Sequence, residues 1–220
     1  MYKKLNWLMD LLFPPHCIFC NQVVPAGLQI CGSCHQEIKQ INSVKRIKLP
    51  NCGKTISCAV PYSYQGKVRN SILQFKFYGK KQYASFYAVK MAALIMESFS
   101  TLHIDIVSCV PISRKRQKSR GYNQSELLAL ELVKLLNLPY VPLLIKKTDN
   151  QEQHKLSMRE RKKNVKGVYE VIDSNCINGK TVLLIDDIVT TGATFSECAK
   201  ELFQANAKEV ICSAIAEVMI

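Results

Sequence analysis

The chain has 220 residues, room for one α/β domain of about 150 residues and a small appendage. Its hydrophobic content of 48% supports a packed core, while no segment approaches the roughly 20 consecutive apolar residues of a transmembrane helix, which excludes such a span. Thirty Lys and Arg against 17 Asp and Glu leave a formal charge of +13, a surplus that favours phosphate-rich ligands or nucleic acid.

At the amino end two lysines precede a short apolar run. Asp10 and the Pro14-Pro15 pair argue against a secretory signal. Leu5, Leu8, Met9 and Leu12 fall at helical spacing and predict an amphipathic helix packed on the body. With no export signal, the ten cysteines are expected to be reduced, in the cytoplasm, and to serve metal binding or burial rather than disulfides. Cys17-Ile-Phe-Cys20 and Cys31-Gly-Ser-Cys34 form two Cys-x-x-Cys knuckles. Four thiolates complete a closed tetrahedral shell, so Cys17, Cys20, Cys31 and Cys34 predict one structural zinc, with four unlinked core thiols as the alternative. Cys52 and Cys58 do not make a further pair of this kind. Residues 40–54 are polar, basic and rich in breakers, which reads as a linker. The chain thus divides into residues 1–54 (helix, finger and linker) and 55–220 (main domain).

The main domain alternates strand and helix. Strands are expected near Ser57–Tyr64, Ile104–Val110, Gly167–Ile172, Thr181–Ile185 and Val210–Val218, and helices near Lys67–Tyr78, Tyr83–Phe99 and Gln124–Leu136. This is the pattern of an α/β fold with a doubly wound, mainly parallel sheet. Two loops leaving strand ends carry the chemistry. The first, Pro111–Gln124, holds Ser113, Arg114, Lys115, Arg116, Arg120, Gly121, Tyr122 and Asn123. Five bases in seven residues from Arg114 to Arg120 suit a pyrophosphate, although a solvated basic loop is the competing reading.

The second is Thr181–Thr194, TVLLIDDIVTTGAT. Val182–Ile185 reads as a strand buried on both faces, and Asp186 and Asp187, which cannot be buried unpaired, should emerge at its carboxyl end. Val189, Thr190, Thr191, Gly192, Ala193 and Thr194 then make a small hydroxyl-rich turn ahead of a helix N-terminus, a cup for phosphate. Carboxylates beside such a cup suit a polyol held by its phosphate, because they accept hydrogen bonds from vicinal hydroxyls. Ribose 5-phosphate has that shape.

This stretch resembles the signature of the type I phosphoribosyltransferases, which bind 5-phosphoribosyl-1-pyrophosphate (PRPP) with Mg²⁺. The resemblance implies that Asp186 and Asp187 are the catalytic pair holding the ribose hydroxyls and that residues 189–194 take the 5-phosphate. It also implies that Pro111–Arg114 line the pyrophosphate and that Arg116–Asn123 close over it. Together with the four-cysteine finger, Arg120-Gly-Tyr-Asn-Gln124 and the basic motif Lys155–Asn164 resemble the ComF family, which joins a zinc finger to a phosphoribosyltransferase domain and is linked to natural competence. That resemblance implies a role in DNA uptake, with PRPP, single-stranded DNA and the competence machinery as partners. Arg159, Arg161, Lys162 and Lys163 are the candidate nucleic-acid contacts. Two activities are compatible with it: phosphoribosyl transfer with release of pyrophosphate, or single-stranded DNA binding by a factor that senses PRPP without turning it over.

Overall fold

A computed structural model describes residues 14–50, 53–147 and 167–219. The expected helix at the amino end, Cys52 and the motif Lys155–Asn164, with Arg159, Arg161, Lys162 and Lys163, lie outside the described residues.

Within them the chain runs α1 (Gly32–Glu37), β1 (Ser43–Lys48), β2 (Thr55–Val60), β3 (Tyr62–Ser63), α2 (Gly66–Phe77), α3 (Tyr83–Ser98), β4 (Ile106–Cys109), α4 (Arg114–Arg120), α5 (Gln124–Leu136), β5 (Leu144–Lys146), β6 (Tyr169–Val171), β7 (Thr181–Val189), α6 (Ala193–Gln204) and β8 (Glu209–Glu217). The main sheet has the order β1-β2-β8-β7-β4, with β3 also on β8. Its β2–β8, β3–β8, β7–β8 and β4–β7 pairs are parallel, and β1 joins β2 antiparallel. The expected α/β architecture with a mainly parallel sheet is what forms.

The β-branched and Leu-rich run of β7 explains its central place, since a strand covered on both faces needs apolar residues at every position. Leu183 and Ile185 pack into one cluster with Phe75 of α2, Tyr87 and Met91 of α3 and Leu128 of α5. Val182 and Leu184 pack into another with Phe195, Cys198 and Leu202 of α6. Helices therefore cover both faces, α2, α3 and α5 on one side and α6 on the other.

Three expectations change. The stretch 40–54 is not only a linker, because Ser43–Lys48 forms β1 in register with Thr55–Val60. Its inward positions include Ser43 and Lys45 as well as Ile47, so no apolar alternation announces the strand. The strand that was expected to end at Ile185 continues to Val189, pairing on β8 as far as Glu217. Asp186 and Asp187 thus sit inside the strand but beyond the reach of β4, whose last pair is Cys109 with Ile185. Finally, Tyr169–Val171 does not join the main sheet. It pairs antiparallel with Leu144–Lys146 in a separate two-stranded sheet.

The cysteine-rich segment docks directly on the main domain. Phe19, between its first two cysteines, meets Phe86 edge-on at 5.6 Å between ring centroids and Tyr62 at 6.3 Å. Cys17, Ile18, Phe19, Val24 and Cys34 belong to the same buried cluster as α2 and α3. No helix among the described residues is long and apolar enough to cross a membrane.

Candidate functional site

The two carboxylates are held differently. Asp186 Oδ1 accepts from the Ser125 hydroxyl at the start of α5 and from the backbone N–H of Asp187, both at 2.8 Å. Burial, and next the charge of Asp187, push its pKa up to about 7, against the pull of Lys76 and of its hydrogen bonds. Asp187 is 8% exposed and pairs with the Lys76 ammonium at 2.9 Å. A desolvated carboxylate pair is costly unless neutralised, and Lys76 supplies that charge from the last turn of α2.

Beyond Asp187 the chain turns into a cup lined by Asp186, Val189, Thr190, Thr191, Gly192 and Thr194, with Ala193 opening α6. Gly192 is the N-cap at φ +78° and provides no side-chain cap. A Cβ there would fall 2.9 Å from the Ile47 side chain, so glycine is required both by the left-handed backbone and by the close approach of β1. The first-turn amides of α6 and its dipole face the cup, as an anion requires. Lys45 of β1 donates to the Thr190 carbonyl at 3.0 Å and lies 3.4 Å from Glu217, whose other oxygen accepts from Ser43 at 2.6 Å. The N-terminal strand therefore braces the turn.

The basic segment after β4 is a capped helix rather than an open loop. Ser113 is the N-cap of α4, accepting from the Arg116 N–H, and Gly121 ends it at φ +76°. None of the residues of α4 is buried, so Arg114, Lys115, Arg116, Lys118 and Arg120 surround it with charge. Ser113 and Arg114, with Pro111 and Gln117, line a groove that is also lined by Lys146 and Lys147 at the end of β5.

Tyr122 and Asn123, expected in a segment closing over the ligand, are 7% and 6% exposed and serve as ties. The Tyr122 hydroxyl donates to the Phe75 carbonyl. Asn123 caps α5 through the Ser125 N–H and donates to the Val110 carbonyl at 3.1 Å. Gln124 donates to the Lys76 carbonyl at 3.2 Å and accepts from Arg120 at 3.1 Å. The stretch Arg120–Ser125 thus joins the end of α2, the end of β4 and Asp186. Lys76, Ser125 and Lys45 were not singled out in the sequence.

In the amino-terminal segment the Sγ atoms of Cys17, Cys20, Cys31 and Cys34 all lie within 4.8 Å of one another, with Cys20 and Cys31 at 3.6 Å. Tetrahedral zinc with Zn–S bonds of about 2.3 Å needs sulfurs about 3.8 Å apart, so the thiols fit a structural zinc with no position left for water. Burial opposes ionisation of Cys17, but backbone hydrogen bonds from Cys31, Cys20 and Phe19 prevail and pull it down to about 6. Neither His16 nor His35 joins the cluster.

Comparison with known proteins gives two matches. Residues 8–65 match the double zinc ribbon domain and residues 123–219 the phosphoribosyl transferase domain. The chain is similar to Competence protein F of Haemophilus influenzae, with 33% identity over 103 residues, which is 46% of this chain and 45% of that protein. It is 26% identical to DNA utilization protein YhgH of Escherichia coli over 205 residues, covering 88% of this chain and 86% of the other. Competence protein ComFC of Bacillus subtilis is 25% identical over 199 residues, covering 80% and 78%. The chain spans less than half of the Haemophilus protein and most of the other two.

Proposed function

We propose that this relative of competence proteins F and ComFC, with its phosphoribosyl transferase domain and zinc ribbon, binds PRPP with Mg²⁺ and acts in natural competence and DNA uptake. The observation that carries the reading is the convergence of Asp186 and the 189–194 turn at the carboxyl end of β7 on the N-terminus of α6, with Asp187 next to Asp186 in the strand. In this reading the carboxylates accept hydrogen bonds from the ribose hydroxyls while the turn and the α6 amides take the 5-phosphate. Ser113 and Arg114 face the pyrophosphate from the groove beside β4, where cations stabilise charge developing on a leaving group. Asp186 and Asp187 offer the hard carboxylate oxygens that would hold Mg²⁺, which would supply further neutralisation of the diphosphate charge.

Titration calorimetry with PRPP and Mg²⁺ tests the site. The folded Asp186→Asn/Asp187→Asn variant should lose most of the binding, and unchanged affinity would overturn the assignment. Pyrophosphate release across a panel of bases, with and without single-stranded DNA, separates transferase from sensor. The charge of α4, none of it buried, together with Phe77 and Tyr78 at 51% and 66% exposure, favours the second reading, a single-stranded DNA-binding factor that senses PRPP. Phosphates would meet the cations and bases the rings, with affinity falling steeply in salt.

A further inference from the structure

The end of α2 is pinned more tightly than a helix terminus needs. Carbonyls of a last turn have no intrahelical partner and are usually left to water. Here those of Phe75 and Lys76 receive the Tyr122 hydroxyl and the Gln124 amide, while the Arg120 guanidinium lies 4.8 Å from the centre of the Phe77 ring. The residue so fixed is Lys76, whose side chain is 16% exposed and ends 2.9 Å from the buried Asp187.

Neutralising two carboxylates could be done by any nearby cation. What this ion pair adds is direction. The Phe75 side chain of α2 packs in the cluster on the face of the sheet opposite α6, so Lys76 approaches the acids from the side away from the 5-phosphate cup. A sugar phosphate with its phosphate in that cup and its hydroxyls on the carboxylates would carry its C1 substituent toward the other side. An ammonium has three donors, and a cation near the C-terminus of α2 is favoured by the helix dipole.

We propose that Lys76 is a ligand-binding group of the site that recognises the diphosphate of PRPP, passing from Asp187 to a diphosphate oxygen when the ribose hydroxyls take the carboxylate. This rests on the phosphoribosyl reading above. Lys76 makes the site selective for a sugar phosphate that bears an anionic group at C1 over one that bears a hydroxyl. Without the diphosphate the same ammonium competes with the ribose for Asp187.

Titration of PRPP and of ribose 5-phosphate, each with Mg²⁺, into wild type, Lys76→Met and Lys76→Arg tests it, with melting curves run alongside. The Met variant should lose roughly tenfold or more in PRPP affinity while holding or gaining affinity for ribose 5-phosphate, and the Arg variant should recover most of the PRPP loss. Equal losses for both ligands, or none, would show that Lys76 only neutralises Asp187 and overturn the proposal. Should Lys76→Met not fold, Lys76→Gln carries the same comparison with a polar side chain. Wild type that binds neither ligand would instead remove the phosphoribosyl reading itself, and this one with it.

Discussion

Replacing Asp186 by Asn should make the protein more stable at neutral and alkaline pH and progressively less so toward acid. The carboxyl is raised from 3.8 to about 7 by burial and by the neighbouring Asp187, so the folded state holds its proton more tightly than the unfolded chain. Stability from this group is complete below about pH 3.8 and is lost as the pH rises through about 7. A pKa difference of that size, fully expressed, corresponds to on the order of 4 kcal/mol. The charge of Asp186 is shared with the adjacent Asp187 and offset by Lys76, which reduces the expected effect to about 2 kcal/mol. Asparagine keeps an oxygen for the Ser125 hydroxyl and the Asp187 N–H and has no proton to lose. Urea denaturation of wild type and variant at several pH values between ~4.5 and ~8 measures the difference with other titrating groups cancelled. The advantage of the variant should grow by about 2 kcal/mol across that range; a difference flat with pH, or one that grows toward acid, would refute the argument. Such a stabilised variant should bind PRPP poorly, as expected where an acid is retained for binding at the expense of stability.

Gly192→Ala combines a left-handed residue with a Cβ 2.9 Å from Ile47 and should cost about 1–3 kcal/mol in chemical denaturation, with phosphate binding weakened as the turn moves; a variant of wild-type stability and affinity would show that β1 yields freely. Cys34→Ser should lower zinc below one ion per chain by elemental analysis. Because Cys34 shares a buried cluster with Phe19, Phe86 and Tyr87, it should also lower the melting temperature of the whole protein. Full zinc content in the Ser variant would contradict the four-thiolate site.

What the sequence by itself determined is local. The apolar run of β7, the two acids and the Thr-Thr-Gly-Ala-Thr turn are contiguous, so a buried strand leading into a hydroxyl-rich turn ahead of a helix is legible from periodicity and turn chemistry alone. The paired Cys-x-x-Cys knuckles are legible for the same reason, and α5 runs over Gln124–Leu136 as its Leu spacing indicated. What only the tertiary structure decided is which distant groups complete the site. Lys45 is 145 residues from Thr190 in the chain, and Ser125 is 61 from Asp186. Lys76 lies in a stretch whose basic residues read equally well as a solvated face. A lysine on an amphipathic helix carries no local mark of the carboxylate it will meet, because its default is water. The strand β1 was hidden for a related reason: its inward residues include Ser43 and Lys45, which face Glu217 and the turn rather than an apolar core. Patterns written in hydrophobicity reveal the elements, whereas ion pairs between elements exist only once packing brings them together and takes their water away.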